Sequence, residues 1–378
     1  MPEPPPVMRM VLPERFTGMS LPGKLCGDRD LKVRAGLRRY KKTGREPGKR
    51  RRIPVGFDEG TMERVALIYN PASGQISARR KAAIEESLGI LRAAGVEAEA
   101  YVTDSAGSAG NLARLAMEAG CDAILACGGD GTVHEVLQAV AGTDVALGVV
   151  PLGTANALAA NLGLAGKPAR AVRKLLKAER IEIPVGRIHY QNGTGETHSR
   201  YFLVAAGAGA DALLMSRLDA GLKRRLGYAL YLWEAVRIWA AGALPLFEAV
   251  LPENGDGPAR VLEVSQLLAV RVRSFGGVLN ELAPGATLHN GKLRLLAFKT
   301  RSRLRYLRFL LAVVAGRHKF TGDIELLKTA SIECRTRNGS KAQVLVEADG
   351  EVLGHLPVRM EVAHPTTVQL LVPPLARP

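Results

Sequence analysis

From Arg64 to about Lys177 the chain alternates short apolar runs with stretches of helical periodicity, and this alternation restricts the fold more than any other feature. VALIYN (65–70), AEAYVT (98–103), AILAC (123–127) and VALGVV (145–150) read as strands. Between them Ser77 to Ala94, with Ile84, Leu88 and Leu91 on one face, Asn111 to Ala119 and Val133 to Ala141 read as helices. Ala155 to Asn161 and Ala169 to Lys177 follow as further helices. Strands separated by helices need parallel neighbours, so the order predicts an α/β domain over 62–180 whose parallel sheet is covered on both faces.

Beyond about Ile181 the strand-like runs crowd together: IEIPVGRIHY, RYFLVAAGAG, LPLFEAVLP, VLEVSQLLAVRV, KLRLLAFKT, AQVLVEADGE, HLPVRMEVA and VQLLVP. Helical insertions interrupt them at about 211–240 and 302–315. Mostly antiparallel strands predict a β-sandwich or partly open barrel over 181–359.

Three loops follow strands of the first half: Asn70-Pro-Ala-Ser73-Gly74, Gly128-Gly129-Asp130-Gly131-Thr132, and Pro151-Leu-Gly-Thr154-Ala-Asn156. The C-terminal ends of parallel strands share one edge, where ligands bind. Each loop offers small residues for close backbone approach, and a hydroxyl or amide from Ser73, Thr132, Thr154 or Asn156. That inventory suits a nucleotide polyphosphate. No Gly-Lys-Ser/Thr follows the glycines, so this is not the common phosphate loop. An aspartate stands there instead. A carboxylate beside phosphates is tolerable where a divalent cation bridges them or neighbouring donors screen it, a first sign of metal-dependent phosphoryl transfer rather than simple binding.

The formal net charge is +16, and residues 1–60 hold 15 Lys/Arg against 7 Asp/Glu, half of that excess. With little apolar periodicity, 1–61 is expected to be a basic disordered tail. It would meet anionic lipid or simply be solvated, and Met62, directly before the first strand, could itself start translation. No apolar stretch is long enough to span a bilayer, and the four cysteines lack metal-binding spacing. A reducing, cytoplasmic setting is expected. Outside the tail no basic–aromatic pattern suggests a nucleic-acid partner.

The three motifs in this order, with Asp349-Gly350-Glu351 near the end, resemble the diacylglycerol kinase catalytic family, which includes bacterial lipid kinases and the sphingosine and ceramide kinases. The resemblance covers about 62–375. It implies ATP and magnesium as cofactors and a lipid hydroxyl as acceptor. Gly128 to His134, Val133 included, would hold the ATP phosphates, and Asn70, Ser73, Gly74, Thr103, Thr154, Asn156 and Glu351 would complete the nucleotide site. Asp130 and Asp349 would be catalytic, Asp349 as general base, although Asp349-Gly350 alone reads equally as a hairpin turn. A structural magnesium would lie at Thr287, Asn290 and Lys292. Residues 360–375 would fold back onto the first domain. Three departures stand out: His134 where the family usually has Asn, Ala157 where it has Asp, and Asn290 where it has Asp.

A lipid acceptor requires work at a membrane surface. The segments 223–240 and 301–319, basic and rich in aromatic or bulky apolar residues, are expected either to lie in the interface or to pack on the β-rich half. NAD kinase and a non-catalytic nucleotide-binding regulator are alternative readings. A homodimer is among the assemblies the sequence leaves open.

Overall fold

The structure, a computed structural model, describes residues 62–71, 77–105, 107–153, 155–217, 237, 245–253, 259–275, 283–300, 302, 304–305, 307–308, 312, 324–337 and 343–374. The expected tail at 1–61, Ser73, Gly74, Thr154 and most of 223–240 and 301–319 lie outside them.

In the first half β1 (Arg64–Tyr69), β2 (Glu97–Val102), β3 (Ala123–Gly128) and β4 (Ala146–Pro151) alternate with α1 (Ser77–Ala93), α2 (Ser108–Glu118), α3 (Asp130–Val140), α4 (Ala157–Asn161) and α5 (Pro168–Leu175). β1 pairs in parallel with β2 and β3, and β3 in parallel with β4. Every residue of β3 and β4 is buried. Helices on both faces therefore demand continuous apolar runs rather than alternation, which is what these strands carry.

The second half holds β5 (Glu179–Gln191), β6 (Thr197–Phe202), β7 (Ala205–Gly209), α6 (Ala210–Arg217), β8 (Phe247–Leu251), β9 (Arg260–Val264), β10 (Gln266–Val270), β11 (Leu293–Phe298), β12 (Ile324–Thr329), β13 (Ser331–Thr336), β14 (Leu345–Ala348) and β15 (Glu351–Val372). Its pairings are antiparallel, in the order β12-β11-β10-β7-β14-β15. Alternation now matters. In β10, Leu267 and Ala269 join one apolar cluster with β5, β6, β8 and β13, while Leu268 and Val270 join the cluster of the α/β half. Successive side chains leave a strand on opposite faces, so this layer serves two cores at once.

β15 joins the halves. It pairs antiparallel with β14, β13 and β5, and then runs parallel beside β4, with Gln369 opposite Ala146 and Leu370 opposite Leu147. The sheet is thus continuous from β2 to β12 among the described residues.

Two of the boundaries that differ from expectation bear on the site. The helix read from Val133 begins at Asp130, so Asp-Gly-Thr is its first turn and the turn proper shrinks to Gly128-Gly129. An acidic residue in the first turn is favoured by the helix dipole, which offsets the poor propensity of Gly131. The run RYFLVAAGAG breaks at Leu203-Val204 into β6 and β7.

Candidate active site

Parallel register aligns Tyr69 with Val102 and Cys127, and Gly128 with Pro151. The C-terminal ends of β1 to β4 therefore form one edge. Asn70 follows β1, Thr103 follows β2, Gly128-Gly129 close β3, and Leu152 to Asn156 follow β4. Two of these loops touch. A Cβ on Gly153 would lie 2.4 Å from Gly129 Cα and 2.8 Å from Asn156 Oδ1, and Leu152 N–H donates to Gly128 O at 2.9 Å. Only glycine permits that approach. Asn156, itself left-handed at φ 49°, accepts from Gly153 N–H at 3.0 Å and donates to Gly153 O at 2.8 Å.

Arg80 of α1 adds a clamp that the sequence reading missed. Its guanidinium donates to Leu152 O at 3.0 Å and to Asn70 O at 3.4 Å, tying the first loop to the third. Thr103 is buried, and its Oγ1 has no hydrogen-bond partner among the described residues. A buried hydroxyl left open on a ligand-binding edge is the kind of group a ligand or water satisfies.

α3 starts at the centre of this edge. Its first-turn N–H groups and its dipole favour an anion. Gly128 lies under Thr132, whose Oγ1 would be 2.3 Å from a Cβ there, so the loop admits no larger residue. Val133 points away into the core at 5% exposure. Asp130, His134 and Gln138, spaced by four, share one face of α3. Gln138 donates to Tyr201 O at 2.9 Å and accepts from Tyr201 N–H at 2.9 Å, reproducing a strand pairing with its amide. Glu135, on a neighbouring face, accepts from Gly107 and Ala109 N–H at 2.8 and 3.0 Å and so caps α2.

His134 reaches the other half of the molecule. Its Nδ1 lies 3.3 Å from Asp349 Oδ2, and both side chains are almost wholly buried. Asp349-Gly350 forms the tip of the β14–β15 hairpin, with φ of 49° and 86°. Two positive values in succession are what a tight two-residue hairpin requires, and aspartate and glycine supply them readily. The hairpin signal and the candidate catalytic residue thus coincide. The Asp349 carboxylate also accepts Leu203 N–H (3.0 Å) on Oδ2, and Val204 and Ala205 N–H (2.8 and 3.1 Å) on Oδ1. Those three donors explain the break between β6 and β7.

Glu351 stands beside the loop: a Cβ on Gly131 would be 3.1 Å from its Oε1. Burial pushes the Glu351 carboxyl above its ordinary value, against the lowering effect of His134. For His134, burial works against the charge, but the hydrogen bond and charge of Asp349, helped by Glu351, outweigh it and raise the ring above its ordinary value. Arg271, fully buried, donates to Pro184 O and Leu288 O, and its Nε and Nη1 have no partner among the described residues. Burial lowers its guanidinium to about 10, opposed by the charge of Asp349.

The turn expected to hold a structural magnesium offers poor ligands. Thr287 Oγ1 accepts His289 N–H at 3.4 Å, and Asn290 and Lys292 are exposed. No group of three His, Cys, Asp or Glu among the described residues is placed to hold a metal. With Asn290 in place of a carboxylate, the turn is a weakened hard-cation site.

The diacylglycerol kinase catalytic domain matches residues 64–188, and the YegS C-terminal NAD kinase beta sandwich-like domain matches residues 204–372. A diacylglycerol kinase of Mycobacterium tuberculosis (strain ATCC 25618 / H37Rv) is 30% identical over 314 residues, spanning 82% of this chain and 95% of that protein. The chain belongs to the diacylglycerol kinase family of lipid kinases. A diacylglycerol kinase of Bacillus subtilis (strain 168), another relative within this family, is 29% identical over 78% of this chain and 92% of its own length. The fold agrees as well. A solved structure assigned as a diacylglycerol kinase from Bacillus anthracis str. Sterne superposes with a TM-score of 0.66 at 23% identity, covering 84% of this chain and 97% of that one.

Proposed function

We propose that this lipid kinase moves the γ-phosphoryl group of ATP to the hydroxyl of a diacylglycerol-like lipid at a membrane surface. One observation carries the reading: the strand-end loops of the α/β half and the Asp349 hairpin tip of the β-rich half meet at the N-terminus of α3. An anion site and a basic centre therefore stand side by side.

Phosphoryl transfer asks for positioning and charge stabilisation more than covalent chemistry. The first turn of α3 would orient the β- and γ-phosphates with its N–H groups. Thr103, with its open hydroxyl, and Asn70 and Asn156 on the same edge, together with Ser73, Gly74 and Thr154, would fix the rest of the nucleotide. Asp130, half-buried at the first helical position, would hold a magnesium ion that arrives with ATP. When bound, magnesium offsets phosphate charge. The Asp349–His134 pair would take up the proton of the lipid hydroxyl, with Glu351 helping to close the site around the loop.

Among the described residues no helix is long and apolar enough to cross a membrane. Access to lipid would therefore come from surface contact, which the basic segments 223–240 and 301–319 suit by composition. The purified chain is to be given γ-labelled ATP with two acceptors, diacylglycerol in anionic vesicles and free NAD. Label in the lipid extract supports the reading. Label only in NADP, or none in either, overturns it.

A further inference from the structure

Among the described residues Arg271 is the largest side chain that the fold buries completely. Its guanidinium keeps a positive charge at neutral pH, since burial lowers it only to about 10. A charge taken out of water is costly unless it is paired or holds other groups in place. Both hydrogen bonds of this guanidinium run from Nη2 to main-chain carbonyls, Pro184 O of β5 and Leu288 O at 2.8 Å. Nε and Nη1 have no partner among the described residues, so no carboxylate cancels the charge by contact. Asp349 is the carboxylate whose charge bears on it.

The Arg271 main chain is placed as firmly. Its N–H donates to Val204 O at 2.9 Å, and Val204 N–H donates to Asp349 Oδ1 at 2.8 Å. Just beyond, Asn161 at the end of α4 accepts Arg273 and Ser274 N–H at 3.1 Å each and donates to Ser274 O. One short segment therefore meets the turn at 283–288, the Asp349 hairpin tip and the helix that follows the third strand-end loop.

That turn runs into the stretch where a structural magnesium would be sought. Its oxygens are engaged or uncharged: Leu288 O accepts from Arg271, Thr287 Oγ1 accepts His289 N–H, and Asn290 is a neutral amide. A dication on Leu288 O would also stand close to the guanidinium, and like charges repel strongly at short range away from water.

We propose that the Arg271 guanidinium is the resident cation of this turn, fastening it to β5 in the place of a metal ion, and that Arg271 is thereby a positioning residue for Asp349. The inference deepens the lipid kinase reading, on which its kinetic part rests. Removing the guanidinium frees Leu288 O and Pro184 O together and loosens the segment that holds Val204, one of the donors to Asp349. The carboxylate then loses its fixed place beside the N-terminus of α3.

Arg271→Met keeps much of the side chain's apolar stem and removes its charge and donors, whereas Arg271→Lys keeps the charge and can still donate to a carbonyl. The wild type, dialysed without nucleotide, is to be measured for metal by elemental analysis and melted with and without a chelator. It should hold no stoichiometric magnesium, and chelation should leave its Tm unchanged. Arg271→Met should melt below the wild type and lose up to about 10²-fold in kcat on diacylglycerol in mixed micelles, the cost of misplacing a catalytic group by about 1 Å. Its ATP affinity by titration calorimetry should be unchanged, and Arg271→Lys should regain most of both losses. Stoichiometric magnesium retained through dialysis, a Tm that falls on chelation, or an Arg271→Met with the Tm and kcat of the wild type overturns the proposal. So does an Arg271→Lys no better than Arg271→Met. If Arg271→Met does not fold, the metal content, the chelation melts and a kcat for Arg271→Lys near that of the wild type still decide. A wild type inactive on lipid overturns the lipid kinase reading alone, because metal content and melting do not depend on it.

Discussion

Asp349→Asn exchanges one oxygen of a fully occupied carboxylate for an amide nitrogen, and the structure says what each atom then faces. If the remaining oxygen keeps Val204 and Ala205 N–H, the new NH2 group stands 3.0 Å from Leu203 N and 3.3 Å from His134 Nδ1. Leu203 N–H then meets a donor and is left unsatisfied in a buried site, a cost of about 1–3 kcal/mol. For a unit of this size that lowers Tm by roughly 2–10 °C. The His134 charge also loses its partner. Its folded value is raised in the wild type. The stability it contributes is therefore fully present below the unfolded value of about 6.5 and is lost as pH rises through the folded value. The Tm gap between wild type and variant should be wider at about pH 6 than at about pH 9. The NH2 group further turns His134 Nδ1 into an acceptor and moves the ring proton to Nε2, so kcat should fall about 10²- to 10⁴-fold. Calorimetric scans at the two pH values and steady-state kinetics measure both effects. A Tm gap that is constant or wider at alkaline pH would refute the ion-pair reasoning, and an unchanged kcat would refute the role of the pair.

Gly153→Ala places a methyl group 2.4 Å from Gly129 Cα, forcing apart two loops of the proposed nucleotide edge. ATP affinity measured by titration calorimetry should drop about tenfold or more, one decade being only about 1.4 kcal/mol. Gln138→Ala leaves Tyr201 N–H and C=O without their side-chain partner; a loss of about 1–3 kcal/mol in chemical denaturation is expected, and a loss under a few tenths would contradict that assignment. Because the 287–292 turn carries no carboxylate, chelation in the absence of nucleotide should leave Tm unchanged, while adding magnesium together with ATP should raise it.

The parallel half was readable because β1, β3 and β4 are uninterrupted apolar runs, and runs of that kind separated by helices admit few arrangements. Readability failed where a long-range contact set a local boundary. Nothing in RYFLVAAGAG marks a stop, and the stop at Leu203-Val204 comes from a carboxylate more than 140 residues away. HLPVRMEVA and VQLLVP read as two runs split by His364-Pro365-Thr366-Thr367, yet they form one strand, β15, with a register shift between Ala363 and Thr367. Proline cannot donate to a ladder, but an irregularity of this kind accommodates it. The glycine-bearing motifs pointed from sequence alone to the strand-end edge that the loops share. The contact of His134 with Asp349, 215 residues apart, had no local signature. Arg80 and Gln138 were equally invisible, since each acts on backbone groups of another element.

The central claim is that the α3 N-terminus and the Asp349 hairpin form one site that phosphorylates a lipid. Its most direct measurement offers γ-labelled ATP to the wild type and to Asp349→Asn, with diacylglycerol, phosphatidylglycerol, ceramide and a sphingoid base each presented in micelles. The account predicts label in at least one lipid with the wild type, and its near-complete loss in a folded Asp349→Asn that still binds ATP. No labelled lipid with the wild type, or equal labelling by the variant, would contradict it.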